Sequence, residues 1–225
     1  MMIRFRHTMM KIVGLVFAAS MVYGQDSVKV KEPVFTYFKL GIDVANAFSS
    51  PLSSKRSNYE FQLEAYYKKS ISWIMEGGVG SSSVKGDKLT YTSQNQFIRL
   101  GLDQTFFNKE FRGDFDNAFV GVRYGYSRVQ RSTATYFIED AIWGNQEGSI
   151  VAKKFSAHWI ELTGGFRMEL VKHIFAGWNI RMKTLLNAKT FEQLPPGYMA
   201  GYGRGDKTTA FSYNLYILYG FGKRR

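Results

Sequence analysis

Between residues 35 and 221 the chain alternates apolar and polar positions in eight stretches of roughly 10 to 14 residues. In the second, Tyr59, Phe61, Leu63, Ala65 and Tyr67 share one face, and Glu60, Gln62, Glu64, Tyr66 and Lys68 share the other. A period of two is the strand period. The pattern predicts strands over about 35–46, 58–68, 71–82, 95–106, 118–128, 156–169, 174–186 and 208–221.

The polar face decides which side is inward. It interleaves Gly41, Gly78, Gly80, Gly101, Gly121, Gly125, Gly165 and Gly177 with charged side chains. On a solvated strand glycine weakens the sheet, since it packs nothing and loses the most backbone entropy. In a narrow barrel, long charged side chains need small neighbours to share the lumen. The expected fold is therefore all-β, an eight-stranded antiparallel transmembrane β-barrel with its polar face inside and its apolar face against lipid.

Connection lengths agree with that arrangement. With a periplasmic N-terminus, 47–57, 83–94, 129–155 and 187–207 become extracellular loops, and 69–70, 107–117 and 170–173 become periplasmic connections, mostly shorter, as outer-membrane barrels show. Ala134 to Trp143 has the apolar character of part of a protruding hairpin. Tyr59 and Tyr67 stand about 20 Å apart in depth on the outward face, as two interfacial girdles would.

Leu40-Gly41-Ile42-Asp43, Arg99-Leu100-Gly101-Leu102-Asp103, Val120-Gly121-Val122-Arg123-Tyr124-Gly125 and Ala157-His158-Trp159-Ile160-Glu161-Leu162 follow one another in an order with a counterpart. From about Phe38 to Phe221 the chain resembles an uncharacterised domain-of-unknown-function family of Bacteroidota-type outer-membrane β-barrel proteins. The resemblance implies the fold and no activity. Such barrels often finish on an aromatic residue; here Phe221 is followed by Gly222-Lys223-Arg224-Arg225.

Arg4, Arg6 and Lys11 precede the apolar run Ile12 to Ala19, and Val22-Tyr23-Gly24 follows. Residues 1–24 read as a secretory signal peptide, too short for a membrane helix, with cleavage near Gly24. The expected organisation is then a signal peptide at 1–24, an N-terminal periplasmic segment at 25–34, the barrel at 35–221 and a basic tail at 222–225. Cleavage lowers the formal net charge from +12 to +9. With 0 Cys and 3 His, a disulfide framework or thiolate metal site is excluded, and no cofactor or metal is expected. No run of about 20 apolar residues follows the signal, so the expected location is the bacterial outer membrane.

Inside the barrel, parity places Asp43, Glu60, Glu64, Glu76, Asp103, Glu161 and Glu169 against Lys39, Lys68, Arg99, Arg123, Arg167, Arg181 and Lys183. Buried charges persist when paired and hydrogen-bonded, so these residues are expected to fill the lumen as an ion-pair network. A proton or ion path through them is the alternative. Lys85, Lys88, Lys189, Arg204 and Lys207 also lie on the outer loops. The basic residues Lys55, Arg56, Arg128, Arg131, Lys153 and Lys154 are expected to meet the anionic headgroups of outer-membrane lipids, lipopolysaccharide included.

Ser156 and His158 project on one face of the sixth strand, with Glu139 or Asp140 in the preceding loop as candidate orienting groups. Gly201-x-Gly203-x-Gly205 has the composition of a phosphate loop but no helix after it. The expected function is that of a small monomeric outer-membrane barrel with a structural, adhesion or interaction role and no catalysis. It would meet the barrel-assembly machinery during insertion and bind no nucleic acid. Two alternatives stand beside it: a lipid A-modifying hydrolase using Ser156 and His158, and a soluble periplasmic lipocalin-like barrel with its faces inverted around a ligand.

Overall fold

The computed structural model describes residues 37–53, 55–68, 70–106, 116–139, 144–191 and 193–222. The expected signal peptide, the 25–34 segment, the tail beyond Gly222 and the Lys68 side chain lie outside what is described. The elements are β1 (Tyr37–Asp43), α1 (Val44–Leu52), β2 (Arg56–Lys68), β3 (Ile71–Lys85), β4 (Leu89–Thr105) and β5 (Asn117–Arg131). They continue with β6 (Ala134–Ile138), β7 (Gln146–Ile150), β8 (Lys153–Val171), β9 (Ile174–Leu185), a 3-10 turn (Ala188–Phe191) and β10 (Thr209–Gly222).

Eight strands form a closed antiparallel ring in the order β1-β2-β3-β4-β5-β8-β9-β10, with β10 paired to β1. A closed ring leaves no sheet edge. The remaining two, β6 and β7, make a hairpin hooked to the end of β4 through Leu89↔Tyr136 and Thr90↔Thr135. This is the protruding hairpin anticipated around residues 134–143.

Face assignment follows the side-chain alternation. Arg99, Arg123, Arg181 and Glu161 are at most 1% exposed on the inside, while outward Leu100, Trp73, Phe166 and Ile180 are 52–54% exposed. The outward set forms an apolar belt. Gly164 leaves a dent in it, bordered by Leu162, Ile180, Met182, Phe211 and Tyr213.

Three boundaries differ from expectation. The first strand stops at Asp43, whose carboxylate accepts from the Asn46 backbone N–H at 3.1 Å and so caps a helix. Residues 44–52 are therefore helical. The expected loop 83–94 is a tight turn, because β3 runs to Lys85 and β4 begins at Leu89. Likewise β5 reaches Arg131 and β8 begins at Lys153. At these ends the outward residues are Ser81, Ser83, Thr92, Gln94 and Gln130, so the hydrophobic signal stops while backbone pairing continues.

The short β1 leaves a notch. It pairs with β10 only from Tyr216 onward and with β2 only from Phe61 onward. Beyond that, α1 covers the space between β2 and β10. Ser50 Oγ donates to the Asn58 carbonyl at 2.9 Å and accepts from the Asn58 N–H at 2.7 Å. One hydroxyl thus takes the place of a strand's backbone at the β2 edge.

A neutralised lumen and its plug

Three layers fill the lumen. At the end with the short turns, Tyr37, Tyr66, Phe175, Tyr216 and Leu218 pack into an aromatic floor. The Lys39 ammonium sits 3.9 Å from the Phe175 ring centroid and donates to Tyr66 Oη at 2.8 Å.

Above the floor lies a continuous network of guanidinium and carboxylate groups. Arg181 grips Glu76 in a two-point contact, both distances 2.8 Å, and reaches Glu161 at 3.1 Å. Arg99 pairs with Glu60, with Glu76 at 2.8 Å and with Glu161 at 3.3 Å. Arg123 joins Asp103 at 3.1 Å and links to Glu76 at 3.5 Å, while Arg167 pairs with Asp103 and with Glu64 at 3.2 Å. Tyr216 Oη donates to Glu60 and accepts from Arg181. Trp159 Nε1 donates to Glu161 at 2.7 Å.

The glycines make room for these groups. A Cβ on Gly125 would lie 2.1 Å from Trp159 Cε2. Glycine here is therefore what admits the indole to the lumen.

The third layer is a plug that sequence periodicity did not reveal. Within the loop between β9 and β10, Phe191, Met199, Ala200 and Tyr202 are buried against Phe97, Val129, Phe155, Ala157, Trp159 and Leu185 of the wall. Backbone groups fix it: Asn95 donates to the Ala200 carbonyl at 3.0 Å and accepts from its N–H at 2.9 Å. Arg99 and Lys183 both donate to the Gly201 carbonyl, at 3.1 and 2.7 Å. Gly201 has φ +82° and lies against the Phe97 ring. That left-handed turn accounts for part of the glycine run that resembled a phosphate loop. Burial pushes the Tyr202 phenol up to about 12, keeping it a neutral donor to the Lys207 carbonyl at 2.7 Å.

Several candidate residues stand apart from the network. Asp43 is fully buried and accepts from Asn46 and Asn214. Glu169 is half-buried at the turn end, where it accepts from the His173 N–H at 2.7 Å. Lys183 holds the plug. Arg131, expected at a lipid-facing rim, is instead 3% exposed on the inward face and donates to the Leu194 and Val151 carbonyls. Its parity in β5, which runs on past the belt, turns it inward. Lys55, Arg56, Arg128, Lys153 and Lys154 are exposed.

Ser156 and His158 face outward, each engaged by a tyrosine of β5. His158 Nδ1 is 2.6 Å from Tyr124 Oη, and Ser156 Oγ is 3.3 Å from Tyr126 Oη. The chain holds the pair in place through Asn187, which accepts from the His158 N–H and donates to the Ser156 carbonyl. Glu139 pairs with Lys88 at 3.3 Å, and Asp140 lies outside the described residues.

The chain belongs to the family described as Domain of unknown function (DUF6048), whose model matches residues 1–221. It is similar in structure to the N-terminal β-barrel domain of Pseudomonas aeruginosa OprF, at 7% identity and TM-score 0.43, covering 83% of this chain and 98% of that one. Ail, the attachment invasion locus protein of Yersinia pestis, in complex with the heparin analogue sucrose octasulfate, matches at 6% identity and TM-score 0.38 over 83% and 97% of the two chains. Neisserial surface protein A matches at 7% identity and TM-score 0.38 over 84% and 96%. Among curated proteins none matches the chain.

Proposed function

We propose that this chain is a structural outer-membrane barrel whose long-loop end faces outward and serves surface contacts, without conduction or catalysis. The observation that carries the reading is the filled lumen. Among the described residues the inside holds six buried acids, Asp43, Glu60, Glu64, Glu76, Asp103 and Glu161, against the buried cations Lys39, Arg99, Arg123, Arg167, Arg181 and Lys183, with Arg131 at the loop end bound to backbone carbonyls. An aromatic floor and a seated loop close its two ends. Charges tied to one another in this way are poor carriers, and eight strands leave little width for water.

The exterior supports the membrane part. A belt of half-exposed Leu, Ile, Phe, Trp and Tyr side chains suits hydrocarbon, and closure satisfies the backbone there. Anionic lipid headgroups, those of lipopolysaccharide included, are the partners that the exposed cations at the loop end fit. For catalysis, among the described residues no base stands at hydrogen-bond distance from Ser156 Oγ, which meets Tyr126, while His158 Nδ1 is turned to Tyr124.

Membrane fractionation with surface proteolysis tests the reading. The protein is expected in the outer-membrane fraction, with cleavage confined to the loop-end segments, faster gel migration unheated than boiled, and no unitary conductance in planar bilayers. Recovery from the soluble periplasm would overturn it and favour the lipocalin-like alternative.

A further inference from the structure

We propose that the serine-lined cleft at the loop end of β2 and β3 binds a phosphorylated sugar headgroup of a lipid in the surrounding leaflet. The inference rests on the reading above that the apolar belt lies in a membrane. The cleft has a volume of about 240 Å³, and Lys55, Arg56, Ser57, Ser81, Ser83 and Gln94 are among its walls. That volume is below the ~300 Å³ at which pockets for drug-sized ligands begin, so it suits one ring with its phosphate, not a whole glycolipid.

Both cations are uncommitted to carboxylates: among the described residues no acid pairs with Lys55 or Arg56. Arg56 has the inward parity of β2 and lies 5.4 Å from the Tyr198 ring centroid on the plug side, so Lys55, of outward parity, is the cation that faces the outward serines. Lys55 is fixed over the end of β3, because its carbonyl accepts from the Ser83 N–H at 2.8 Å.

Hydroxyl and amide groups supply the second half of the chemistry. Ser83 Oγ is buried with no hydrogen-bond partner, a loss that a ligand oxygen would make good. Ser57 and Ser81 share one hydrogen bond of 2.9 Å, which leaves each hydroxyl with capacity to spare. Hydroxyls and a carboxamide both donate and accept, as sugar hydroxyls require, whereas a bare phosphate needs donors alone.

Location selects the lipid source. Ser57 and Ser81 are the next outward positions beyond Tyr59 and Val79, which are 41% and 52% exposed at the edge of the belt. The step is about 7 Å along the strand. A headgroup in the cleft therefore has its acyl chains directly over apolar side chains.

The test uses the folded protein in phosphatidylcholine nanodiscs doped with lipid A, a bisphosphorylated glucosamine disaccharide lipid, or with phosphatidylglycerol, with bound lipid read by native mass spectrometry. Lipid A is expected to be retained in preference to phosphatidylglycerol and to resist displacement by millimolar inorganic phosphate. Lys55→Gln should weaken retention about tenfold or more, and Ser83→Ala severalfold, whereas Lys189→Gln should not. All of these positions are at the surface end, so the barrel's heat-modifiable migration should be unchanged. Equal retention of the two lipids, displacement by inorganic phosphate, or indifference to the Lys55 change overturns the proposal while leaving the barrel in its nanodisc. A protein that fails to enter nanodiscs overturns the membrane reading itself.

Discussion

Lys183 donates from Nζ to the Gly201 carbonyl at 2.7 Å, so a wall cation grips the backbone of a loop. Arg99 does the same from the opposite side of the network at 3.1 Å. The ion-pair layer and the plug are therefore one structure, and loosening one exposes the other.

Replacing Asn95 by Leu should unseat the loop. The substitution leaves both the N–H and the carbonyl of Ala200 without their partner in a buried site, at a cost of about 1–3 kcal/mol each. Limited proteolysis of native membranes should show faster cleavage between residues 187 and 207 while the barrel still migrates as a folded band. Unchanged cleavage would mean that the loop is held by its apolar contacts alone.

Arg181→Met should destabilise the barrel by about 3–5 kcal/mol, because it removes a guanidinium that Glu76 and Glu161 share and leaves the buried network with an uncompensated negative charge. Lys207→Ala, in the exposed part of the loop, should stay within about 0.5 kcal/mol. Urea titration of both variants in the same lipid decides the comparison; equal midpoints would indicate a hydrated lumen.

Gly125→Leu should be worse tolerated than its conservative look suggests. Even a Cβ at this position overlaps the Trp159 ring, so the indole must leave its place and its hydrogen bond to Glu161. Overpacking costs about 1–3 kcal/mol, and the lost hydrogen bond between Trp159 and Glu161 adds to it. A lowered unfolding midpoint together with red-shifted tryptophan emission is expected.

Ser156→Ala and His158→Ala should leave lipid A unchanged by mass spectrometry. Serine attack needs a base to take its proton and a third group to hold that base, and the two side chains are instead bound to Tyr126 and Tyr124. Loss of a deacylated species in either variant would establish an enzyme.

The barrel was legible because its two environments differ so sharply: along β4, Leu100 and Leu102 alternate with Arg99 and Asp103, and strand parity does the rest. Legibility failed where the environments converge. Past the belt, Ser81, Thr92 and Gln94 face outward as polar residues on strands that remain paired, so the alternation stops before β3 and β4 do. The helix after Asp43 was hidden behind serine and proline, and the plug behind glycine. Met199, Ala200 and Tyr202 carry no period in a segment with no regular strand. Only an apolar cluster among glycines hinted that the segment folds inward. Arg131 is hidden for a related reason, since its parity is legible only when β5 is extended beyond its apolar run.

The shortness of β1 bears on how the ring comes into being. Over the described residues it spans 7, the fewest of any strand in the ring, set between neighbours of 13 and 14, and its partner β10 lies at the far end of the sequence. Pairings between distant segments form late, since the chain between them must first be ordered. Closure is therefore a kinetic event that hangs on a seam no longer than β1, with the Ser50 latch completing what β1 leaves open. A side chain at Gly41 would strike Leu218 on the closing partner. Its effect should fall on the rate at which an open sheet becomes a barrel.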